Sequence, residues 1–341
     1  MLHHMTAMVA VGSILMCVSF TLGGEDQAAK PIRAGIIGLD TSHVPAFTKL
    51  FNDPKAAGDI AGIRVVAAFP GGSPDLPSSR DRVQGYTEEL RKMGVEIVDS
   101  IPALLERVDV VLLESVDGRP HLEQARPVFK AGKPMFIDKP LAGSLADAVA
   151  IYELGKKHKV PWFSSSSLRF SPGIIGMRKN EKVGEVVGCD AWGPCPIEEH
   201  HPDLFWYGIH GVEILFTIMG PGCESVTRSR TDGVELVVGK WKDGRIGTFR
   251  GLRRGKQDYG AMVFGVKAVA PAGSYEGYNP LVEEIARFFK TGKAPVSAEE
   301  TIEIFAFMEA ADESKRQGGA AVTLESVLAK AREAAKGRLG E

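Results

Sequence analysis

The sequence lacks a surplus of either charge. Lys+Arg 41 against Asp+Glu 43 leave a formal net charge of −2 over 341 residues. Without a basic excess to neutralise phosphates, nucleic acid is not an expected partner. Four cysteines are too few for a disulfide scaffold. Internal repeats and low-complexity tracts are missing too, and 44% hydrophobic with 25% charged residues is globular composition. The length allows two domains, each with its own core.

Charge is absent altogether from Met1 to Gly24. The run from Met5 to Gly23 is apolar or small, and Glu25, Asp26 and Lys30 then restore charge. Residues 1–24 read as a cleaved export signal, which places the protein in the periplasm or outside the cell. An uncleaved anchor is the rival reading, because the run is near the spanning length of about 20 residues. No Arg-Arg pair marks this leader for export in the folded state. Removing it leaves Cys189, Cys195 and Cys223. Cys189 and Cys195 flank a short turn-forming segment, so they either bridge or serve as small buried hydrophobes.

From Pro31 onward, short apolar runs alternate with amphipathic stretches. Strands are expected at Pro31–Leu39, Ile63–Phe69, Val95–Val98, Asp109–Glu114 and Pro134–Ile137, with helices between them. This predicts an α/β, doubly wound parallel sheet over residues 25–160, with Trp162–Ser166 as the exit. Ligands of such sheets sit outside the carboxyl ends of the strands. The residues there are Gly38 to His43, Pro70 to Ser73, Ser115 to His121 and Asp138 to Pro140. Asp40, His43, Asp117, His121 and Lys139 converge on that rim. Residues 161–341 change style, with three β-like stretches from Val234 to Val266 and long amphipathic helices. An α+β domain with a mostly antiparallel sheet is expected. Ser297 reads as N-cap of the helix beginning at Ala298, with Glu300 three residues on.

Gly35-Ile36-Ile37-Gly38, Ile137-Asp138-Lys139-Pro140, Gly208-Ile209-His210-Gly211-Val212-Glu213 and Phe305 to Leu324 follow one another in an order that resembles the Gfo/Idh/MocA family, named for glucose–fructose oxidoreductase, inositol dehydrogenase and MocA. The resemblance covers essentially everything after residue 30. It implies a Rossmann domain, an NAD(P) cofactor, a sugar or cyclitol substrate, and a homo-oligomer by fold analogy. It carries the catalytic lysine onto Lys139 and the proton-transferring histidine onto His210. Imidazole titrates near neutral pH, and an ammonium stabilises a developing alkoxide.

The departures are specific. In the Gly-x-Gly-x-x-Gly fingerprint only Gly38 survives, with Asp40 and His43 at the other two positions. A carboxylate about 4 Å from a phosphate charge costs ~4 kcal/mol at an effective dielectric of about 20. Asp40 is therefore expected to cap the following helix instead. The second strand ends in Phe69-Pro70 without a ribose-binding acid, and Gly71-Gly72-Ser73 with Ser78-Ser79-Arg80 tilts a dinucleotide site towards NADP. Trp206 stands where the family has an Asp four residues before His210. The expected cofactor-binding set is Gly38, Asp40, Thr41, Ser42, His43, Gly71, Ser73, Ser115, Asp117, His121 and Lys139, with Lys139 and His210 catalytic. No metal site is expected, although His200 and His201 lie in a ligand-rich segment. Trp192, Phe205, Trp206 and Tyr207 form either a sugar-stacking wall or core.

Three functions compete. One is an exported oxidoreductase acting on a carbohydrate with tightly held NADP. The second is a redox-silent lyase, hydratase or isomerase on the same scaffold. The third is a carbohydrate-binding protein that keeps the cleft and has lost turnover. No membrane partner is expected beyond the anchor reading.

Overall fold

The computed structural model describes Met1 and residues 30–340. The export signal expected at 1–24 lies outside the described residues apart from Met1. Among the described residues no helix is long and apolar enough to cross a membrane.

The first half is β1 (Ile32–Ile37), α1 (His43–Asn52), β2 (Ile63–Phe69), α2 (Pro77–Lys92), β3 (Glu96–Ile97), α3 (Ile101–Leu105), β4 (Val110–Leu113), α4 (His121–Lys130), β5 (Met135–Ile137), α5 (Leu145–His158) and β6 (Trp162–Ser164). The six strands pair in the order β3-β2-β1-β4-β5-β6, and every pairing is parallel. This is the doubly wound dinucleotide-binding order, whose switch point lies between β1 and β4. β4 and β5 are buried at every residue, as a sheet covered on both faces requires. Trp162–Ser164, read from sequence as the exit, is instead the sixth strand, with Phe136 opposite Phe163. Three residues ending in serine give no periodic signal, so only the pairing to β5 identifies it.

The second half adds α6 (Pro172–Ile175), β7 (Val186–Pro194), α7 (Gly208–Met219), β8 (Cys223–Thr231), β9 (Val234–Trp241), β10 (Ile246–Leu252), β11 (Gly260–Gly265), β12 (Val269–Pro271), α8 (Asn279–Thr291), α9 (Ala298–Arg316), β13 (Val322–Thr323) and α10 (Leu324–Lys336). Its seven strands run β12-β11-β7-β10-β9-β8-β13 and are antiparallel except for β10 on β7. β8 and β12 carry too little apolar pattern to be read from sequence. β8 buries Arg228 where a core strand ordinarily buries an aliphatic residue. Ser297 caps α9 as expected, its Oγ accepting from Glu300 N at 3.1 Å.

α7 is buried at all twelve positions, so a largely apolar helix lies inside the molecule. One core joins α4, α5, α7 and α9 to both sheets. A second lies on the opposite face of the parallel sheet, where α8 returns to pack Leu281, Ile285 and Phe288 with Phe47 of α1. The three described cysteines are free and buried, so Cys189 and Cys195 are not bridged.

Candidate active site

The carboxyl ends of β1 and β5 open onto a cavity of about 310 Å³, within the size range of small-molecule sites. Thr41, Ser42 and His43 enter it from the start of α1, and Lys139 from the end of β5. The 167–168 segment after β6 and the start of α7 bring Ser167 and His210, and Trp206, Tyr207, Tyr259, Tyr275 and Tyr278 complete an aromatic wall. The lysine and the histidine singled out in the sequence therefore share one cavity, each only 8% exposed.

His210 Nδ1 lies 2.7 Å from Ser166 Oγ. Ser166 is held in turn because Glu213 accepts from its backbone N–H at 3.0 Å, from Ser165 Oγ at 2.7 Å and from Arg169 Nε at 2.7 Å. Glu213 is on α7 with His210, so one helix turn supplies both the imidazole and the carboxylate that fixes its neighbour. Burial, then the charges of Lys139 and His43, holds the His210 imidazole well below its usual range. It is a neutral base at neutral pH. Lys139 Nζ sits 5.5 Å from the Tyr207 ring centroid, a cation–π contact that presents the ammonium to the cavity.

The residues expected to hold a cofactor divide into two sets. Thr41, Ser42, His43 and Lys139 line the cavity. Gly38 does not line it but is required: its φ is +87° and a Cβ there would lie 2.3 Å from Ser115 Oγ. Asp40 is fully buried and does not cap α1. Its carboxylate accepts from Ser79 Oγ at 2.6 Å and Val116 N at 2.8 Å, while Ser42 occupies the N-cap without a side-chain bond. The cause is simple: the first turn of α2, with Ser79, and the β4–α4 connection, with Val116, fold over the β1 turn and supply the donors that hold the carboxylate. His121 is also sealed inside, its ring nitrogens 3.1 Å from Leu141 O and 2.9 Å from Ser115 O. Ser115 bonds Gln124, and the backbone N–H of Ser73 bonds Ser79 Oγ. Gly71 packs against Gly38.

Asp117 faces Arg119 at 2.6 Å and His201 Nε2 at 3.1 Å. Burial opposes its charge, but those partners outweigh burial and keep its carboxyl well below the usual range. Arg119 also binds Asp75, so it ties the loop after β2 to the loop after β4. Beside these ion pairs, Leu76, Val116 and Trp206 form a small buried cluster.

Of the four aromatic residues read as wall or core, Trp206 and Tyr207 line the cavity. Phe205 is core, its ring 4.9 Å from Phe305, and Trp192 packs under Gly260. His200 is 2.8 Å from Glu198, whereas His201 turns to Asp117, so the two do not meet at one point. Nothing local in the sequence distinguishes the cavity tyrosines Tyr259, Tyr275 and Tyr278 from core ones, or marks Ser166 as the partner of His210.

Residues 32–165 match the sequence model of the oxidoreductase family with an NAD-binding Rossmann fold, Gfo/Idh/MocA. The match spans the parallel-sheet domain and is a similarity of that domain to the family's NAD-binding fold. No curated protein sequence matches the chain. Among solved structures, a probable dehydrogenase from Thermotoga maritima is 23% identical, with a TM-score of 0.69 over 87% of this chain and 100% of that one. Scyllo-inositol dehydrogenase from Lactobacillus casei, with bound NAD(H) and scyllo-inositol, is 12% identical at TM-score 0.71 over 87% and 100%. Myo-inositol 2-dehydrogenase from Lactobacillus plantarum is 16% identical at TM-score 0.69 over 86% and 99%. These similarities show a shared fold.

The chain's own residues fit part of the cofactor, the β1–α1 turn its pyrophosphate and Lys139 its nicotinamide end. Gly38 permits the close turn, the start of α1 has no side-chain cap and faces the cavity, and Lys139 stands at the end of β5. Thr41, Ser42 and His43 are the residues that would meet it there. Further along the rim, the Arg119 ion pairs and the Leu76–Val116–Trp206 cluster span the loops between which an extended dinucleotide lies.

Proposed function

We propose that this protein oxidises or reduces a hydroxyl-bearing carbon of a sugar or cyclitol, using NAD(P) bound along the β1–α1 turn, and that it works as an exported enzyme holding NADP tightly. The observation that carries the reading is the meeting of Lys139, His210 and the start of α1 in one cavity. When bound, the nicotinamide supplies the hydride acceptor or donor. The protein supplies the rest. His210, kept neutral, takes the hydroxyl proton. Lys139 stabilises the oxygen as negative charge develops on it. Tyr207 and Trp206 offer ring faces to the apolar side of a pyranose or cyclitol, and the tyrosine hydroxyls suit its oxygens. Export is supported by the uncharged leader, and NADP by the lack of an acid at the end of β2.

Asp40 and the spanned rim favour a second reading, acid–base chemistry without net redox, in which His210, Lys139 and His43 act on the same carbohydrate. Native mass spectrometry of the full chain separates the two. Bound NADP(H), lost or weakened at least tenfold in Lys139→Ala, is the expected result. No bound dinucleotide, and no binding of added NAD(H) or NADP(H) by calorimetry, would overturn the redox reading.

A further inference from the structure

We propose that His43, Glu114 and Asp138 form a binding site for one divalent transition-metal ion beside the cavity. The three side chains come from the carboxyl ends of three neighbouring strands: His43 opens α1 after β1, Glu114 follows β4, and Asp138 follows β5. One donor atom from each lies within 4.8 Å of the others, and all three residues are buried. His43 also lines the cavity, so the site adjoins it.

The observation that points to a ligand is a concentration of unmade bonds. Among the described residues both carboxylate oxygens of Glu114 are buried without a hydrogen-bond partner, and His43 Nδ1 and Asp138 Oδ2 have only each other. His43 Nδ1 pairs with Asp138 Oδ2 at 2.7 Å but stays 3.9 Å from Glu114 Oε2, so the imidazole answers one acid and leaves both Glu114 oxygens without a donor. Buried polar atoms are normally paired, and two carboxylates at this depth repel each other. Elsewhere in the fold the same problem is solved locally: Asp40 takes Ser79 and Val116, and Asp117 takes Arg119. Glu114 has no such partner. A cation between the three groups would satisfy all four atoms together.

The donor set selects the ion class. One imidazole nitrogen and two carboxylates suit zinc, manganese, iron(II) or cobalt(II) better than magnesium or calcium, which prefer all-oxygen shells. Donors about 2.1 Å from a shared ion stand roughly 3.0–3.5 Å apart, so shifts below about 1 Å would close these three around it. Three protein ligands leave a coordination position for water or a substrate oxygen. Without an ion, burial and then the Asp138 charge hold the Glu114 carboxyl well above its usual range. A proton on Glu114 is therefore the competing explanation.

The test needs no knowledge of the substrate. The full chain is stripped with chelator, dialysed, and titrated with Zn²⁺, Mn²⁺ and Co²⁺. Bound metal is counted by mass spectrometry, and the cobalt form is examined by visible and X-ray absorption. The expected result is one ion per chain, a nitrogen–oxygen shell containing one imidazole, and at least 100-fold weaker binding in Glu114→Gln and Asp138→Asn, with His200→Ala unchanged. Should the Asp138 variant fail to fold, the absorption spectrum of the native chain still decides. Less than a tenth of an equivalent after loading, or binding abolished by His200→Ala and unaffected by Glu114→Gln, would overturn the proposal. The outcome is independent of whether a dinucleotide binds, so its failure is distinguishable from failure of the redox reading.

Discussion

Asp40→Asn isolates the effect of one charge on cofactor binding. Asp40 occupies the second glycine position of the phosphate turn, but its carboxylate points inward to Ser79 Oγ and Val116 N. An asparagine keeps both contacts. Its carbonyl accepts from Val116 N, and its amide donates to Ser79 Oγ, which has a lone pair to spare beside the one used by Ser73 N. The substitution therefore removes charge with little change in shape. A carboxylate about 8 Å from one phosphate charge costs about 2 kcal/mol at an effective dielectric of about 20. Releasing that repulsion should tighten NAD(P) binding about 30-fold. Burial also pushes the Asp40 carboxyl above its usual range, so acid should relieve the repulsion in the parent and leave the variant indifferent. Isothermal titration at several pH values, with melting curves to verify the fold, measures both effects. An unchanged dissociation constant in a variant that melts normally would refute the claim that Asp40 penalises the dinucleotide.

The second sheet offers two tests of stability. Arg228 is fully buried and contacts Asp203 at 2.7 Å, Glu235 at 2.7 Å and Asp312. Arg228→Ala strands three carboxylates and should destabilise the protein by about 3–5 kcal/mol in urea unfolding, whereas a loss under about 1 kcal/mol would mean that Lys315 and Arg253 suffice. Burial raises the Asp312 carboxyl to about 7, so the folded state binds the extra proton between roughly pH 4 and 7. Stability from this group is lost as pH rises through that window, and Asp312→Asn should flatten the decline measured by melting temperature against pH.

What the sequence disclosed and what it hid follow from the range of the interactions involved. β4 and β5 are runs of consecutive apolar residues, β1 and β2 are apolar but for one arginine each near their starts, and α9 announces itself through Ser297, so local pattern is enough. The strand-end rule then places His43 and Lys139 on one rim before any coordinate is known. β6 and β8 escape because their membership depends on neighbours: β6 on register with Phe136, and β8 on a buried arginine satisfied by acids from three other segments. Glu114 escapes for the same reason. As the residue after an apolar strand it looks like the polar edge of a loop, and only the approach of His43 and Asp138 makes it exceptional.

The two replaced glycines bear on how the altered fingerprint is read. Simple loss of a phosphate turn would leave small or solvent-facing residues there. Instead Asp40 is 0% exposed and His43 6% exposed. Burying a carboxylate or an imidazole beside another charge costs several kcal/mol unless the surroundings compensate. Asp40 is compensated by a hydroxyl from the first turn of α2 and a backbone N–H from the loop after β4. His43 faces two acids, of which Glu114 lacks any partner among the described residues. A turn that has only decayed has no reason to gather an imidazole and two carboxylates at the point where α1, β4 and β5 converge. Their arrangement is that of a turn rebuilt for a different bound charge, the cation proposed beneath the cavity.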